Sequence, residues 1–260
     1  MKITDFYSYK KPGRKITLMT AYDYTLASIA AASGVDAVLV GDSLSMVMYG
    51  NDSTLPASTE VMALHTGAVA KAVRDKLIVA DMPFLSHRKG LEPAMCAAET
   101  LVKAGAQALK LEGVDGHAEI ISHIVKSGIP VMGHLGLTPQ SVHALGGYRT
   151  QGTDPASARA ILAQARELER LGCFALVLEC VPHSLAGKIT AALRIPTIGI
   201  GAGPRTDGQV LVMQDMLGLY GGKVPSFVKR YLDGRKAVLD ALNKFDREVK
   251  AGLFPGGEER

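Results

Sequence analysis

The stretch SGVDAVLVGD at residues 33–42 returns twice, as AGAQALKLEG at 104–113 and as LGCFALVLEC at 171–180. Each copy reads as a glycine, three residues and then an apolar strand. The glycine suits the position just past a helix, where the chain needs φ > 0 before it enters the strand. An acid follows the glycine by eight, seven and seven residues, giving Asp42, Glu112 and Glu179. Asp81 closes the run LIVAD (77–81) in the same way. Four strands therefore present a carboxylate at the same end.

Working outward, β-branched runs alternate with alanine-rich helical segments along the whole chain. Strands are expected at 16–23, 37–43, 77–83, 108–113, 131–137, 174–180 and 197–203, with a weaker one at 209–214. Most are nearly continuous apolar runs, the pattern of a parallel sheet covered on both faces. Helical patterns lie between them, among them Pro93–Lys103 and Pro155–Arg170, the latter opening on an Asp-Pro start signal. Eight β-α alternations in about 250 residues is the usual size of a TIM barrel. The expected architecture is α/β, a single (β/α)8 TIM barrel over residues 1–260 with a C-terminal helical segment at roughly 226–250. A doubly wound open sheet is the alternative, because alternation alone does not show closure. In a barrel, charged residues at the C-terminal strand ends read as catalytic.

Composition narrows the function classes. The chain has 260 residues, 47% hydrophobic and 21% charged, enough to bury a core without staples. Three cysteines without a C-x-x-C spacing exclude a fully paired disulfide framework and argue against a zinc finger or redox pair. No apolar run approaches the roughly 20 residues of a membrane helix, and MKITDFYSYKKPGRK lacks the apolar region of a signal peptide. A cytoplasmic protein is expected. The 29 basic and 25 acidic residues are scattered, with no basic stripe interleaved with aromatics, so nucleic acid is not an expected partner.

Alternation along a strand turns Lys110 and Glu112 to one face, toward the barrel interior, where unpaired charge is costly. Either they pair with each other structurally, or they serve a site. Asp42, Asp81 and Glu112 are hard oxygen donors, a set that favours Mg²⁺ or Mn²⁺ over zinc. Asp42 alone could also cap a Gly-Asp-Ser turn, but that does not explain four acids in register. Glu179, behind FALVL and ahead of Val181-Pro182, is placed as a desolvated general base. Cys180 faces away from it by strand parity and reads as packing. His134 points inward, either polarising a substrate oxygen or as a satisfied interior histidine. The turn GIGAG (199–203) is expected to form a tight floor under a substrate, phosphate binding being the lesser reading.

These motifs carry a resemblance. VGDSLSMVMYG with DSTLP behind it, ADMPF, KLEG, GHLGLTPQS, GGYRTQG, LVLECVP and IPTIGIGAG followed by DGQVLV run in order from about residue 16 to 230 and resemble the ketopantoate hydroxymethyltransferase family. The resemblance implies a (β/α)8 barrel that makes ketopantoate from α-ketoisovalerate and 5,10-methylenetetrahydrofolate, on the route to pantothenate and coenzyme A. It also implies a homo-oligomer, commonly a decamer. By the family's pattern Asp42 and Asp81 hold Mg²⁺, with Glu112 the third acid at the metal. Asp42, Ser43 and Asp81 lie against the keto acid, Lys110 binds its carboxylate, and His134 stands beside it. Glu179 takes the proton, and the enolate carbon attacks the folate methylene.

Two positions depart from the pattern. Val114 follows KLEG where relatives have a second glycine, and the loop after the third strand reads Ser86-His87-Arg88-Lys89, unusually basic. Both bear on the folate-side loops. Two other functions fit part of the pattern. One is a Mg²⁺-dependent enolate-forming lyase or mutase of the phosphoenolpyruvate mutase and isocitrate lyase type, whose cysteine-containing loop signature is missing here. The other is a non-catalytic metabolite-binding barrel.

Overall fold

The structure, a computed structural model, describes residues 3–10, 14–222 and 224–256. By its contacts the chain divides into two compact units, Met1–Val212 and Met213–Arg260.

The first unit is the barrel. Its strands are β1 (Ile16–Thr20), β2 (Ala37–Val40), β3 (Leu77–Asp81), β4 (Ala108–Glu112), β5 (Val131–Gly136), β6 (Ala175–Glu179), β7 (Thr197–Ile200) and β8 (Gly208–Leu211). They pair in sequence order, all parallel, and β8 returns to β1 through Ile16 opposite Gly208 and Leu18 opposite Val210. That pairing closes the sheet and removes the open-sheet alternative. The helices are α1 (Ile3–Ser8), α2 (Tyr24–Ala32), α3 (Leu44–Val47), α4 (Thr59–Ala72), α5 (Leu91–Lys103), α6 (Ala118–Lys126), α7 (Pro155–Arg170) and α8 (His183–Ala192).

Every residue of β3 and of β4 is buried, as expected of strands covered by helices outside and by packed side chains within. Ile16, Leu18, Leu39, Val79, Met132, Val177, Ile198 and Val210 fill the interior. The N-terminal ends of the strands are plugged by α1. Its Phe6 is fully buried and meets Phe174, the residue before β6, edge to face with ring centroids 5.2 Å apart. With that end closed, the polar side chains of the C-terminal ends define the open face.

Local signals set the helix starts. Pro155 at the first turn of α7 needs no hydrogen-bond acceptor, and Asp154 accepts from the N–H groups of Ala156 (2.9 Å) and Ser157 (3.0 Å). Alanine at Asp154 leaves both donors to water, and thermal unfolding is expected to shift down by about 2–4 °C. An unshifted midpoint in a calorimetric scan contradicts the cap.

In the second unit, α9 (Met213–Met216) precedes α10 (Gly234–Lys250). The helix expected over 226–250 starts only at Gly234, where the Asp233 carboxylate accepts from Lys236 N–H and caps it. Along α10, Val238, Leu239, Leu242, Phe245 and Val249 recur at helical spacing on one face, and all are exposed. Among the described residues no helix is long and apolar enough to cross a membrane.

Candidate active site

Strand register assembles the site. Asp81 on β3 stands opposite Lys110 on β4, Glu112 opposite His134 on β5, and Gly136 opposite Glu179 on β6. Because Lys110 and Glu112 are two residues apart, both turn inward, and the strands on either side bring their partners to the same level. Asp42 and Ser43 lie just past the end of β2, after Gly41. Asp42, Asp81, Lys110, Glu112 and His134 are all buried.

These residues form one connected network. Lys110 Nζ lies 3.1 Å from Asp81 Oδ1 and 3.1 Å from His134 Nδ1. The Lys110–Glu112 pair weighed as a structural alternative is replaced by this pairing across β3 and β4. His134 Nδ1 is 3.5 Å from Glu112 Oε1, and Nε2 is 3.1 Å from Glu179 Oε2. Asp42 N–H donates to Asp81 Oδ2 at 3.0 Å. Ser43 is turned differently, with its Oγ 2.7 Å from the hydroxyl of the buried Tyr22.

Gln140, which the sequence reading did not single out, ties three strand ends together. It sits in a short 3-10 turn (Pro139–Ser141) after β5. Its Nε2 donates to Asp42 Oδ2 at 2.8 Å and to the Met82 carbonyl at 2.9 Å, while its main-chain N–H donates to Glu112 Oε2 at 3.0 Å.

Burial and mutual charge set the protonation of the network. Burial, and then Asp81 and Glu112, push the Asp42 carboxyl well above the ordinary carboxylate range, with Lys110 and Gln140 opposing. Glu112 goes the other way. Burial acts upward on it, but the His134 hydrogen bond and the charges of His134 and Lys110, with the Gln140 amide, hold it below its ordinary value. For Lys110, burial pulls downward and is outweighed by Asp81, Glu112 and Asp42, so the ammonium is retained. An ammonium can only donate, so in the neutral ring His134 Nδ1 is its acceptor and the ring proton sits at Nε2, toward Glu179. Burial and Lys110 lower the His134 pKa, but hydrogen bonds to Glu112 and Glu179 carry it to about 8. Near neutral pH that favours the doubly protonated ring, in which Nδ1 turns from accepting the Lys110 proton to donating toward Glu112 Oε1. Glu179 is the most accessible member, its side chain 16% exposed where those of His134 and Glu112 are 3%. That makes it the carboxylate a substrate can reach.

Asp81 Oδ1, Glu112 Oε1 and His134 Nε2 are buried without an aligned hydrogen-bond partner despite the short contacts around them. Buried polar atoms left this way are costly and mark places where an ion, water or substrate completes the set. Among the described residues no three His, Cys, Asp or Glu side chains already converge at metal-ligating distance.

The surroundings account for the other residues raised by the sequence. Cys180 has φ +45, and burial and then Glu179 push its thiol up to about 12, far from a nucleophile's range. The basic loop is anchored, since Arg88 donates to the carbonyls of Glu112 (3.2 Å) and Asp115 (3.1 Å). Its neighbour His87 is fully buried against His117, and burial, His117 and Arg88 bring it down to about 3, so it is neutral. Val114 is buried in the same loop. In GIGAG, the space beside Gly199 is taken by Thr206 and that beside Gly203 by His183.

The chain matches the ketopantoate hydroxymethyltransferase family over residues 1–257. It belongs to that family. It is accordingly an enzyme of the hydroxymethyltransferase type. Curated family members include the 3-methyl-2-oxobutanoate hydroxymethyltransferase of Bdellovibrio bacteriovorus, 54% identical over 257 residues, covering 99% of this chain and 98% of the relative. The enzyme of the same name from Coxiella burnetii is 53% identical over 256 residues, covering 98% and 96%. Among solved structures, 2,3-dimethylmalate lyase, of the PEP mutase/isocitrate lyase superfamily, superposes with a TM-score of 0.65 at 16% identity, covering 98% of this chain and 91% of that one. A phosphonopyruvate hydrolase superposes with the same score at 12% identity, covering 100% and 92%. At those identities the likeness is one of fold, and the family fixes the enzyme type as a transferase.

Proposed function

We propose that this family member transfers a hydroxymethyl group from 5,10-methylenetetrahydrofolate to α-ketoisovalerate, giving ketopantoate for pantothenate and coenzyme A synthesis. The observation that carries the reading is the reachable Glu179 carboxylate, hydrogen-bond distance from a histidine that leads to a buried lysine and three further acids.

The donor set fits a small hard cation. Asp42, Asp81 and Glu112 offer only oxygen, and two of their buried oxygens lack aligned partners. Asp42 and Asp81, with Glu112 as the third acid, would hold Mg²⁺, or Mn²⁺ in its place. When bound, the cation supplies positive charge beside the oxygen on which negative charge develops during enolisation.

The chain's own residues do the rest. Lys110 attracts the keto-acid carboxylate with an ammonium already fixed by Asp81 and His134. Asp42, Ser43, Asp81 and His134 form the wall against which the keto acid is oriented. Glu179 removes the proton from C3 of the substrate, and His134 holds the base in place through Nε2. The product carbon bears two methyl groups and no hydrogen, so an amine left on the new CH₂ could not be eliminated. The hydroxyl oxygen therefore comes from water, which opens the folate methylene and releases its carbon at the oxidation level of formaldehyde. C3 of the enolate adds to that carbon, and Glu179 returns its proton to the new alkoxide. Holding both reactants in one pocket supplies much of the acceleration.

The same reading makes the protein a cytoplasmic homo-oligomer, the decamer of its family, with small-molecule partners only. The exposed apolar face of α10 supports self-association, and the three free cysteines support a reducing compartment.

The test is the C3 proton signal of α-ketoisovalerate in D₂O, followed by NMR with enzyme and Mg²⁺. The signal is expected to disappear, and chelator is expected to stop the loss. A signal that persists when Mg²⁺ and methylenetetrahydrofolate are both present overturns the proposal.

A further inference from the structure

Each of the three clustered acids has one oxygen already engaged by an N–H group. Asp81 Oδ2 accepts from Asp42 N–H (3.0 Å), Asp42 Oδ2 from Gln140 Nε2 (2.8 Å) and Glu112 Oε2 from Gln140 N–H (3.0 Å). Two of the three donors belong to Gln140, which is itself buried and locked by a second bond to the Met82 carbonyl at 2.9 Å. The oxygens on the other side lack an aligned hydrogen bond but face cationic groups, Asp81 Oδ1 the Lys110 ammonium at 3.1 Å and Glu112 Oε1 the His134 ring at 3.5 Å. Every acid is thus restricted to offering a ligand at most one oxygen, that of Asp81 in competition with Lys110.

That restriction discriminates between cations. Mg²⁺ demands near-octahedral coordination at about 2.0–2.1 Å and accepts single carboxylate oxygens with water. Ca²⁺ takes about 6–8 oxygens at 2.3–2.6 Å and gains them through carboxylates that bind with both oxygens. We infer that Gln140 is a specificity-determining residue that keeps the acid cluster one-oxygen-per-carboxylate and so favours a small six-coordinate cation over Ca²⁺. The inference rests on the proposed Mg²⁺ site. It assigns Gln140 no contact with substrate, only a positioning action through Asp42 and Glu112.

Gln140→Met keeps the side-chain length and removes the donor, leaving Asp42 free to present both oxygens. Gln140→Glu keeps the shape and puts an acceptor where the donor was. Mg²⁺ and Ca²⁺ dissociation constants are read by titration calorimetry and by displacement of Mn²⁺ followed by electron paramagnetic resonance, with no substrate present. In the wild type Mg²⁺ is expected to bind more tightly than Ca²⁺. In either variant the ratio of the Ca²⁺ to the Mg²⁺ constant is expected to fall by about tenfold, the worth of one charge-assisted hydrogen bond. A general loosening of the site weakens both cations together and leaves the ratio unchanged, which overturns the role of Gln140. A wild type that binds Ca²⁺ as tightly as Mg²⁺ overturns it without any variant. A wild type that binds neither cation overturns the metal reading beneath it, so the two failures are distinct.

Discussion

Glu179→Gln is expected to lower C3-proton exchange of α-ketoisovalerate by about 10²–10⁴-fold, the usual contribution of a positioned general base, while the keto acid still binds. Glutamine has the same length and retains a carbonyl oxygen for His134 Nε2, so the network from Glu179 to Lys110 and Asp81 keeps its shape. Only the ability to accept a proton is lost. The side chain lies at the end of β6 with neighbours that fix its position, and it is the most accessible acid on the face. The measurement pairs NMR exchange with a binding titration of the keto acid. Exchange at the wild-type rate would assign the base elsewhere, His134 being next in line. Lost binding together with lost exchange would make Glu179 a binding residue instead.

Much of this was legible in the chain because strands and their polar termini obey short-range rules. The repeated glycine frame placed three of the four acids on one face of the barrel, and strand parity turned Lys110 and Glu112 inward. The glycines show where the rule stops. Gly105 (φ +117) and Gly172 (φ +94) leave their helices in the left-handed region, as expected, but Gly34 does not. There α2 is ended by Ser33 in extended conformation, its hydroxyl bonded to the Ala30 carbonyl. That exit agrees with the acid following Gly34 by eight residues, one more than in the other two copies. Closure was not legible, because it depends on β8 reaching β1, and β8 is a four-residue strand with a weak pattern. Gln140 was hidden for a different reason. No periodicity or spacing marks a glutamine in a turn, and its importance arises only because the loop after β5 folds back over the ends of β2, β3 and β4. GHLGLTPQS carried it within a recognised motif without any local chemistry to pick it out. The basic loop misled in charge alone, since Arg88 spends its donors on main-chain carbonyls of the β4 loop.

The loop after β5 also makes the second large effect predictable. Gly136 has φ +95, and a Cβ there would stand inside 3.0 Å of the Glu179 carbonyl oxygen and 2.7 Å from Val181 Cγ1. The backbone of β5 lies tight against that of its parallel neighbour β6 at Glu179, the proposed base. Leu137 N–H donates to the same Glu179 carbonyl at 2.8 Å, and on the far side Cys180 N–H donates to the Ile200 carbonyl at 2.9 Å while its own carbonyl accepts from Gln151 at 2.8 Å. Glu179 is therefore held between two main-chain anchors, and Cys180 adopts a left-handed conformation, unusual for a non-glycine residue, to satisfy both. Gly136→Ala incurs a left-handed penalty of about 1–2 kcal/mol and an overpacking cost of about 1–3 kcal/mol against rigid backbone. Gly133, on the same strand, provides the control. A Cβ there meets only the ends of Leu168 and Leu176, which rotate away, and its φ is not left-handed. Gly136→Ala is expected to lose about 2–5 kcal/mol of stability by denaturant titration, and its folded fraction to lose exchange because Glu179, the proposed base, has moved. Gly133→Ala is expected to keep exchange at a smaller stability cost. Equal losses in the two variants would show that β5 tolerates no added volume anywhere, and would remove Gly136 as the element that sets the position of Glu179.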